Sequence, residues 1–127
     1  MAGRDESAKD IHESGEDYLE AILMIRQRSG RVFAIDVARQ LDVSKASVSK
    51  ALSKLEAKGY IRMDGRDVQL TEAGLPIAEK ILARHHFFTR LLEEAGVDPK
   101  TAAEEACHME HTISDDTFAK LVEKHGA

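Results

Sequence analysis

Residues 34–60, AIDVARQLDVSKASVSKALSKLEAKGY, contain two short helical patterns separated by a turn, and this arrangement decides the fold. The first pattern has the apolar positions of one helix face: Ile35, Val37, Ala38 and Leu41. The second repeats apolar residues at helical spacing: Val48, Ala51, Leu52 and Leu55. Ser44 is a typical N-cap for the second helix, and Gly59 is a typical helix end. The stretch therefore predicts a helix-turn-helix unit.

Two β-prone stretches, residues 60–63 and 68–70, follow this unit along the chain. They are joined by residues 64–67, Asp-Gly-Arg-Asp. An Asp-Gly pair between two such stretches is a strong signal for a β-hairpin. We therefore expect a hairpin directly after the second helix.

Another helix precedes the quoted stretch, because apolar residues recur at helical spacing between Tyr18 and Ile25 behind a Ser14 that resembles an N-cap. Residues 1–13 lack this periodicity, and we expect them to form a flexible N-terminal arm. Helix, short helix, turn, helix and hairpin is the order of a winged helix-turn-helix DNA-binding domain, which we expect over residues 14–73.

The second half of the chain is predicted to be all-helical. Thr71 opens a long helix, and Asp98 opens another that should reach about His111. Ser114 caps the last helix, so the fold class is mainly α, with a helical domain over residues 74–127. This segment has more large apolar side chains than it can bury alone, which predicts a homodimer through the C-terminal helices. These large apolar side chains are Phe87, Phe88, Leu91, Leu92, Met109, Ile113 and Phe118.

Composition narrows the class of protein. The 127 residues are 43% hydrophobic and 32% charged, as in a globular protein. No apolar run is long enough to span a bilayer, and the polar start does not resemble a secretory signal, so we expect a cytoplasmic protein with no membrane partner. The single cysteine, Cys107, cannot form an internal disulfide.

The charge is unevenly distributed along the chain. Residues 39–66 carry seven basic and three acidic side chains, a local charge of +4. Since the net charge of the whole chain is −5, the remaining residues together carry −9. A basic block in an acidic chain predicts that one part binds an anion while another binds cations or a partner.

The basic block places lysines and serines on one face of the second helix of the quoted stretch. Lysines neutralise phosphates, and short hydroxyl side chains contact phosphates or base edges without blocking entry to the major groove. We therefore expect double-stranded DNA to bind at Ser44, Lys45, Ser47, Ser49, Lys50 and Lys54, with Arg66 at the hairpin tip. The alternative is an amphipathic helix whose lysines only face water.

Potential metal ligands occur in three separate helices. At about 100° per residue, Cys107, Glu110 and His111 share one arc of a helix, with His108 at its edge. Asp17 and Glu20 form a pair three residues apart, while His85 lies on an apolar face. Each has an ordinary alternative: a carboxylate that complements the helix dipole, a core histidine, or a cysteine acting as a small apolar residue. Together they form the mixed set of sulfur, nitrogen and oxygen donors that transition metals accept.

Three stretches carry a family resemblance: EDYLEAI at 16–22, ARHHFFTRLL at 83–92 and EACHMEHTIS at 105–114. Over about residues 14–122 the chain resembles the diphtheria toxin repressor family of metal-dependent transcriptional regulators, which has iron-responsive and manganese-responsive branches. The resemblance implies binding to a DNA operator, repression of metal-homeostasis genes, and a short form without the SH3-like domain of the iron type. It implies a primary metal site of Asp17, Cys107, Glu110 and His111, with Glu20 and His85 beside it.

The implied ligand set is a mixture of the two branches. Asp17 matches the manganese type, whereas Cys107 matches the iron type. We therefore expect Mn²⁺ or Fe²⁺ as the physiological cofactor, while Zn²⁺, Co²⁺ and Ni²⁺ should bind at least as tightly in vitro, because affinity rises along the divalent series.

Two other functions are compatible with parts of the sequence. A metal-independent winged-helix regulator would sense a small ligand or the oxidation of Cys107. An enzyme is not expected, because His108-Met-Glu-His111 has neither of the spacings of zinc hydrolases and no oxyanion loop is recognisable.

Overall fold

A computed structural model of the chain describes residues 6–126, with side chains from residue 15 onward. Within these residues there are six helices and one two-stranded hairpin, so the mainly α fold class is confirmed. In chain order they are α1 (Glu6–Ser29), α2 (Ala34–Leu41), α3 (Lys45–Ala57), β1 (Ile61–Asp64), β2 (Asp67–Leu70), α4 (Gly74–Glu94), α5 (Pro99–Met109) and α6 (Asp115–His125). No helix among the described residues is long and apolar enough to cross a membrane.

The chain divides into two compact units, and the division falls within α4, between Glu79 and Lys80. We call the part up to Glu79 the N-terminal unit and the part from Lys80 the C-terminal unit. The functional limits expected from the sequence, 14–73 and 74–127, stay predictions.

The N-terminus of α1 differs from the expectation. The helix begins at Glu6, so the expected helix start at Ser14 is wrong. The flexible N-terminal arm over residues 1–13 stays a prediction, and residues 1–5 lie outside the described part. The helix was predicted to start later because residues 1–13 lack apolar residues at helical spacing. A helix does not need that spacing to continue from a buried segment, and residues 6–13 contain no proline but several Glu, Ala and Lys, which favour helix.

The helix-turn-helix forms as predicted. At the end of α2, Asp42 adopts a left-handed conformation with φ 55°, which turns the chain out of the helix. Ser44 then caps α3 by accepting a hydrogen bond from the Ser47 backbone N–H. Val48, at 0% exposure, faces the core of the N-terminal unit, where burial of such a side chain contributes about 1.5–3 kcal/mol.

The hairpin is also present, with β1 and β2 antiparallel and Asp64 paired with Asp67 across a two-residue turn. An ion pair fixes its root to α1: Arg26 Nη2 donates to Asp67 at 3.0 Å and to the Val68 carbonyl at 2.7 Å. The Val32 backbone N–H donates to the same Asp67 carboxylate at 2.8 Å. That backbone hydrogen bond, with those from Gln69 and Arg26, lowers the pKa of Asp67, which keeps the carboxylate ionised.

The first residue of α4 lies against backbone. A Cβ added at Gly74 would stand 2.0 Å from the Tyr60 carbonyl oxygen, a contact that no side-chain motion relieves. We expect Gly74→Ala to lower the free energy of unfolding by about 1–3 kcal/mol or more, as overpacking does. Urea denaturation followed by circular dichroism measures this change.

Gly15 in α1 provides the matched control, because an added Cβ there makes only an ordinary contact, 3.6 Å from Leu55 Cδ2. Gly15→Ala should leave stability unchanged or raise it by about 0.5–1 kcal/mol, since alanine favours the helix interior. Equal stabilities for the two variants would contradict the close approach at Gly74.

The C-terminal unit has its own core on α4, α5 and α6. Phe87, Phe88 and Ala106 are buried at its centre, and Phe118 of α6 lies edge-on to Phe87 at 5.3 Å between ring centroids. Partly buried side chains surround them: Leu91, Met109, Ile113, Leu121 and Val122. Asp98 and Ser114 cap α5 and α6 as predicted.

Candidate metal centre and nucleic-acid interface

The exposed face of α3 carries the side chains expected to meet DNA. All seven predicted residues, Ser44, Lys45, Ser47, Ser49, Lys50, Lys54 and Arg66, are exposed. The first turn of α3 contains no acidic residue, and Val48, Leu52 and Leu55 point into the core instead. The helix therefore presents a basic face to solvent. The Ser44 hydroxyl has a structural role as well, because it caps α3 and donates to Ser47 Oγ at 3.0 Å.

A second basic feature lies beside the hairpin tip. The guanidinium carbons of Arg31 and Arg66 lie 5.1 and 5.7 Å from the centroid of the Phe33 ring, within the range of cation–π attraction. Arg31 was not among the predicted DNA-binding residues. The local sequence around Arg31 gave no sign of it, because Arg31 and Arg66 are brought to the same ring by contacts between distant residues, such as the hydrogen bond from the Val68 N–H to the Val32 carbonyl.

Two candidate ligands of the N-terminal unit lie together on α1. One carboxylate oxygen of Asp17 and one of Glu20 are within 4.8 Å of each other, as the three-residue spacing predicted. Glu20 is only 5% exposed, which is unusual for a glutamate. Burial, together with the negative charge of Asp17, raises the pKa of the neighbouring Tyr18, so its hydroxyl stays neutral.

Two further candidates of the C-terminal unit lie at the end of α5. Cys107 Sγ and a Glu110 carboxylate oxygen are within 4.8 Å of each other. The helix ends at Met109, so the expectation that it reaches about His111 is wrong by two residues. Glu110 is the C-cap with nearly helical angles, φ −65° and ψ −22°, which keeps its side chain on the Cys107 side. His111 lies in the turn that follows.

Glu110 is the centre of this group. It is completely buried, and its two oxygens contact two imidazoles: His85 Nδ1 lies 2.9 Å from Oε1, and His111 Nε2 lies 3.4 Å from Oε2. The structure thus brings His85 of α4, Glu110 and His111 together, whereas His108 is exposed, as its position at the edge of the arc indicated.

The donors of the C-terminal unit fit a transition metal. A thiol, two imidazoles and a carboxylate combine soft, borderline and hard ligand atoms, which Ca²⁺ and Mg²⁺ do not select. A buried carboxylate is costly unless it has hydrogen-bond partners or a cation beside it, and a bound metal ion would be such a cation. The side chains therefore have the chemistry of a divalent metal site.

The chain matches two family models that together cover most of its length. The model described as "Iron dependent repressor, N-terminal DNA binding domain" matches residues 10–67, and "Iron dependent repressor, metal binding and dimerisation domain" matches residues 71–127. The chain belongs to the iron-dependent repressor family. The resemblance read from the three sequence stretches is therefore confirmed. This family consists of metal-dependent transcriptional regulators, which supports the main functional prediction over the metal-independent alternative.

Individual family members agree. A helix-turn-helix-type transcriptional regulator of Methanocaldococcus jannaschii is 37% identical over 114 residues, covering 87% of this chain and 91% of the relative. The transcriptional regulator MntR of Escherichia coli O157:H7 is 35% identical over 116 residues, covering 88% of this chain and 75% of the relative.

Among solved structures, a manganese-dependent transcriptional repressor in complex with manganese superposes with a TM-score of 0.77 and 28% identity over 87% of this chain. The chain spans 51% of the length of the chain in that structure. The winged-helix fold class is confirmed by this agreement and by the family match.

Proposed function

We propose that this chain is a cytoplasmic transcriptional repressor of metal-homeostasis genes, which binds operator DNA when a divalent transition metal is bound. The single observation that carries the proposal is Glu110, a fully buried carboxylate contacted by His85 and His111 and close to Cys107. A buried group of donors with this composition in a family of metal-dependent regulators supports regulation by metal over catalysis.

The proposed primary site consists of Asp17, Cys107, Glu110 and His111, with Glu20 and His85 as neighbours. Its support is the proximity of the donors within each unit, Asp17 to Glu20 and Cys107 to Glu110. When bound, the metal supplies positive charge that neutralises these carboxylates and the thiolate. Mn²⁺ and Fe²⁺ are the proposed physiological ions, and Zn²⁺, Co²⁺ and Ni²⁺ should also bind in vitro.

The proposed DNA interface is the basic face of α3 with Arg66 at the hairpin tip. Lys50 and Lys54 are exposed on successive turns, where they can neutralise phosphates on either side of a major groove. Dimeric helix-turn-helix proteins bind two half-sites one helical turn apart, which requires two copies of the reading helix about 34 Å apart.

We propose that the second copy comes from a homodimer through the C-terminal helices. One of the matched family models is a dimerisation domain, and the C-terminal unit leaves several large apolar side chains only partly buried: Leu91, Leu92, Ile113, Leu121 and Val122. Asp17 and Glu20 lie on a helix of the N-terminal unit, whereas the other ligands belong to the C-terminal unit. A metal bound by both sets would restrict the position of the reading helices and so favour DNA binding.

The test compares DNA binding with and without metal. The probe is a duplex selected from a random double-stranded DNA pool by the Mn²⁺-loaded protein, and fluorescence anisotropy measures its affinity with Mn²⁺, anaerobic Fe²⁺, Zn²⁺ or a chelator. We expect metal to raise the affinity about 5- to 150-fold, the usual range of coupling between two sites. Equal affinities for the metal-free and metal-loaded protein would refute activation by metal.

A further inference from the structure

Arg84 is a buried arginine that neither the predicted metal site nor the predicted DNA interface uses. Only 4% of the residue is exposed. Its Nη1 donates to the carbonyl oxygens of Glu110 at 3.2 Å and Ile113 at 2.5 Å, and its Nη2 donates to Asp115 Oδ1 at 2.5 Å. Burial of a guanidinium is unfavourable without hydrogen-bond partners, and both Nη1 and Nη2 have them, so these contacts define the place of the side chain in the fold.

The three acceptors span the connection between two helices. Glu110 is the C-cap of α5, Ile113 precedes the N-cap of α6, and Asp115 is the first residue of α6. A cation at the C-terminal end of α5 is also favoured by the helix dipole. The planar guanidinium therefore links the end of α5 to the start of α6. The guanidinium carbon of Arg84 lies over the ring of Phe118, 5.2 Å from the ring centroid, within the range of cation–π attraction.

The connection that Arg84 fixes contains two of the proposed metal ligands. Glu110 is held at both ends by neighbouring residues of α4: Arg84 binds its backbone carbonyl, and His85 contacts its carboxylate at 2.9 Å. His111 follows directly, between the two carbonyls that Arg84 binds. The main chain around both ligands is therefore determined by one side chain that is not itself a ligand.

We propose that Arg84 is a positioning residue that holds Glu110 and His111 in the metal-binding arrangement before a metal is bound. The inference rests on the proposed metal site and adds to it. Ligands that are already ordered lose less conformational freedom on binding, and residues that orient metal ligands typically contribute 10- to 100-fold to metal affinity. We expect a loss of about this size when the guanidinium is removed.

The decisive variants keep or remove different parts of the link. Arg84→Lys keeps the charge, but an ammonium cannot reproduce the planar fork that binds several acceptors at once. Arg84→Gln removes the charge as well. Lys80→Ala is the matched control, because Lys80 is exposed and its ammonium pairs with Asp115 at 3.3 Å rather than with the two carbonyls.

The full chain is titrated with Mn²⁺ by calorimetry and with Co²⁺ by visible absorption, well below the unfolding temperature of each variant. Hydrogen exchange of the metal-free protein measures how well the backbone amides of residues 110–114 are protected from local opening. For Arg84→Lys we expect Mn²⁺ affinity to fall about 10-fold, the Co²⁺ spectrum to change and exchange at 110–114 to accelerate. Lys80→Ala should behave as the wild type in all three measurements.

A lower unfolding temperature with unchanged metal affinity and unchanged Co²⁺ spectrum in Arg84→Lys would overturn the proposal, because Arg84 would then be structural only. If neither arginine variant folds, Asp115→Ala provides the test, since it removes the acceptor of Arg84 Nη2 at an exposed position and leaves the buried guanidinium in place. Wild-type metal affinity in Asp115→Ala, with unchanged exchange, would overturn the proposal as well. If the wild type itself binds no Mn²⁺ or Co²⁺, the proposed function fails rather than the role of Arg84.

Discussion

We expect the double change of Lys50 and Lys54 to Glu to lower DNA affinity by more than about 100-fold, because two proposed phosphate contacts would become repulsive on the helix proposed to enter the groove. Both side chains are exposed on α3, opposite the buried Val48, so neither change disturbs the core. Fluorescence anisotropy with Mn²⁺ at moderate salt measures the loss. Replacing the two lysines by Ala instead should reduce the salt slope of binding by about 2, close to one unit for each phosphate contact.

A control must separate this local effect from the change in total charge. Lys100→Glu with Lys124→Glu alters the net charge equally, and both residues are exposed in the C-terminal unit. We expect this control to bind DNA within a few-fold of the wild type at the same salt. Similar losses in both double variants would show that general repulsion, and not α3, determines the affinity.

We expect the change of Cys107 to Glu to shift the metal preference of the proposed site from Zn²⁺ toward Mn²⁺. The change replaces a soft sulfur by a hard oxygen next to Glu110, so Zn²⁺ and Co²⁺ lose their preferred ligand while Mn²⁺ gains a carboxylate. We expect the affinity for Zn²⁺ to fall about 100-fold and that for Mn²⁺ to change by less than about 10-fold, judged from the usual effect of changes around a metal site. Competition with a chromophoric chelator measures both affinities.

Absorption spectroscopy of the Co²⁺ complex identifies the ligand directly, because thiolate coordination gives a charge-transfer band in the near ultraviolet. The band should be present in the wild type and lost in Cys107→Glu. His108→Glu adds the same charge one residue away at an exposed position, and it should keep both the band and the wild-type preference. A band that survives without Cys107, or is missing from the wild type, would remove this cysteine from the ligand set.

The elements that the sequence predicted well are those set by short-range patterns. The Ser44 cap, the apolar spacing of α3 and the Asp-Gly turn each act within a few residues, and the structure has all three. The start of α1 at Glu6 was missed because apolar periodicity reports burial, while a polar stretch can be helical through propensity alone.

The candidate site divides in the same way. The pairs Asp17 with Glu20 and Cys107 with Glu110 follow from helical spacing, and the structure brings each pair together. Contacts between residues far apart in the sequence leave no comparable spacing pattern. Arg84 meets Glu110 across 26 residues, and the only sign in the sequence is a charged residue among the apolar positions of α4, three residues after Ile81 and three before Phe87.

The ion pair between Arg26 and Asp67 connects α1 mechanically to the hairpin within the N-terminal unit. Glu20 and Arg26 are six residues apart on the same continuous helix, about 9 Å along its axis. A helix of this length moves as a stiff rod. A rotation of α1 imposed at its carboxylates would therefore act on the hairpin through Arg26, and we expect the basic tip to move with it.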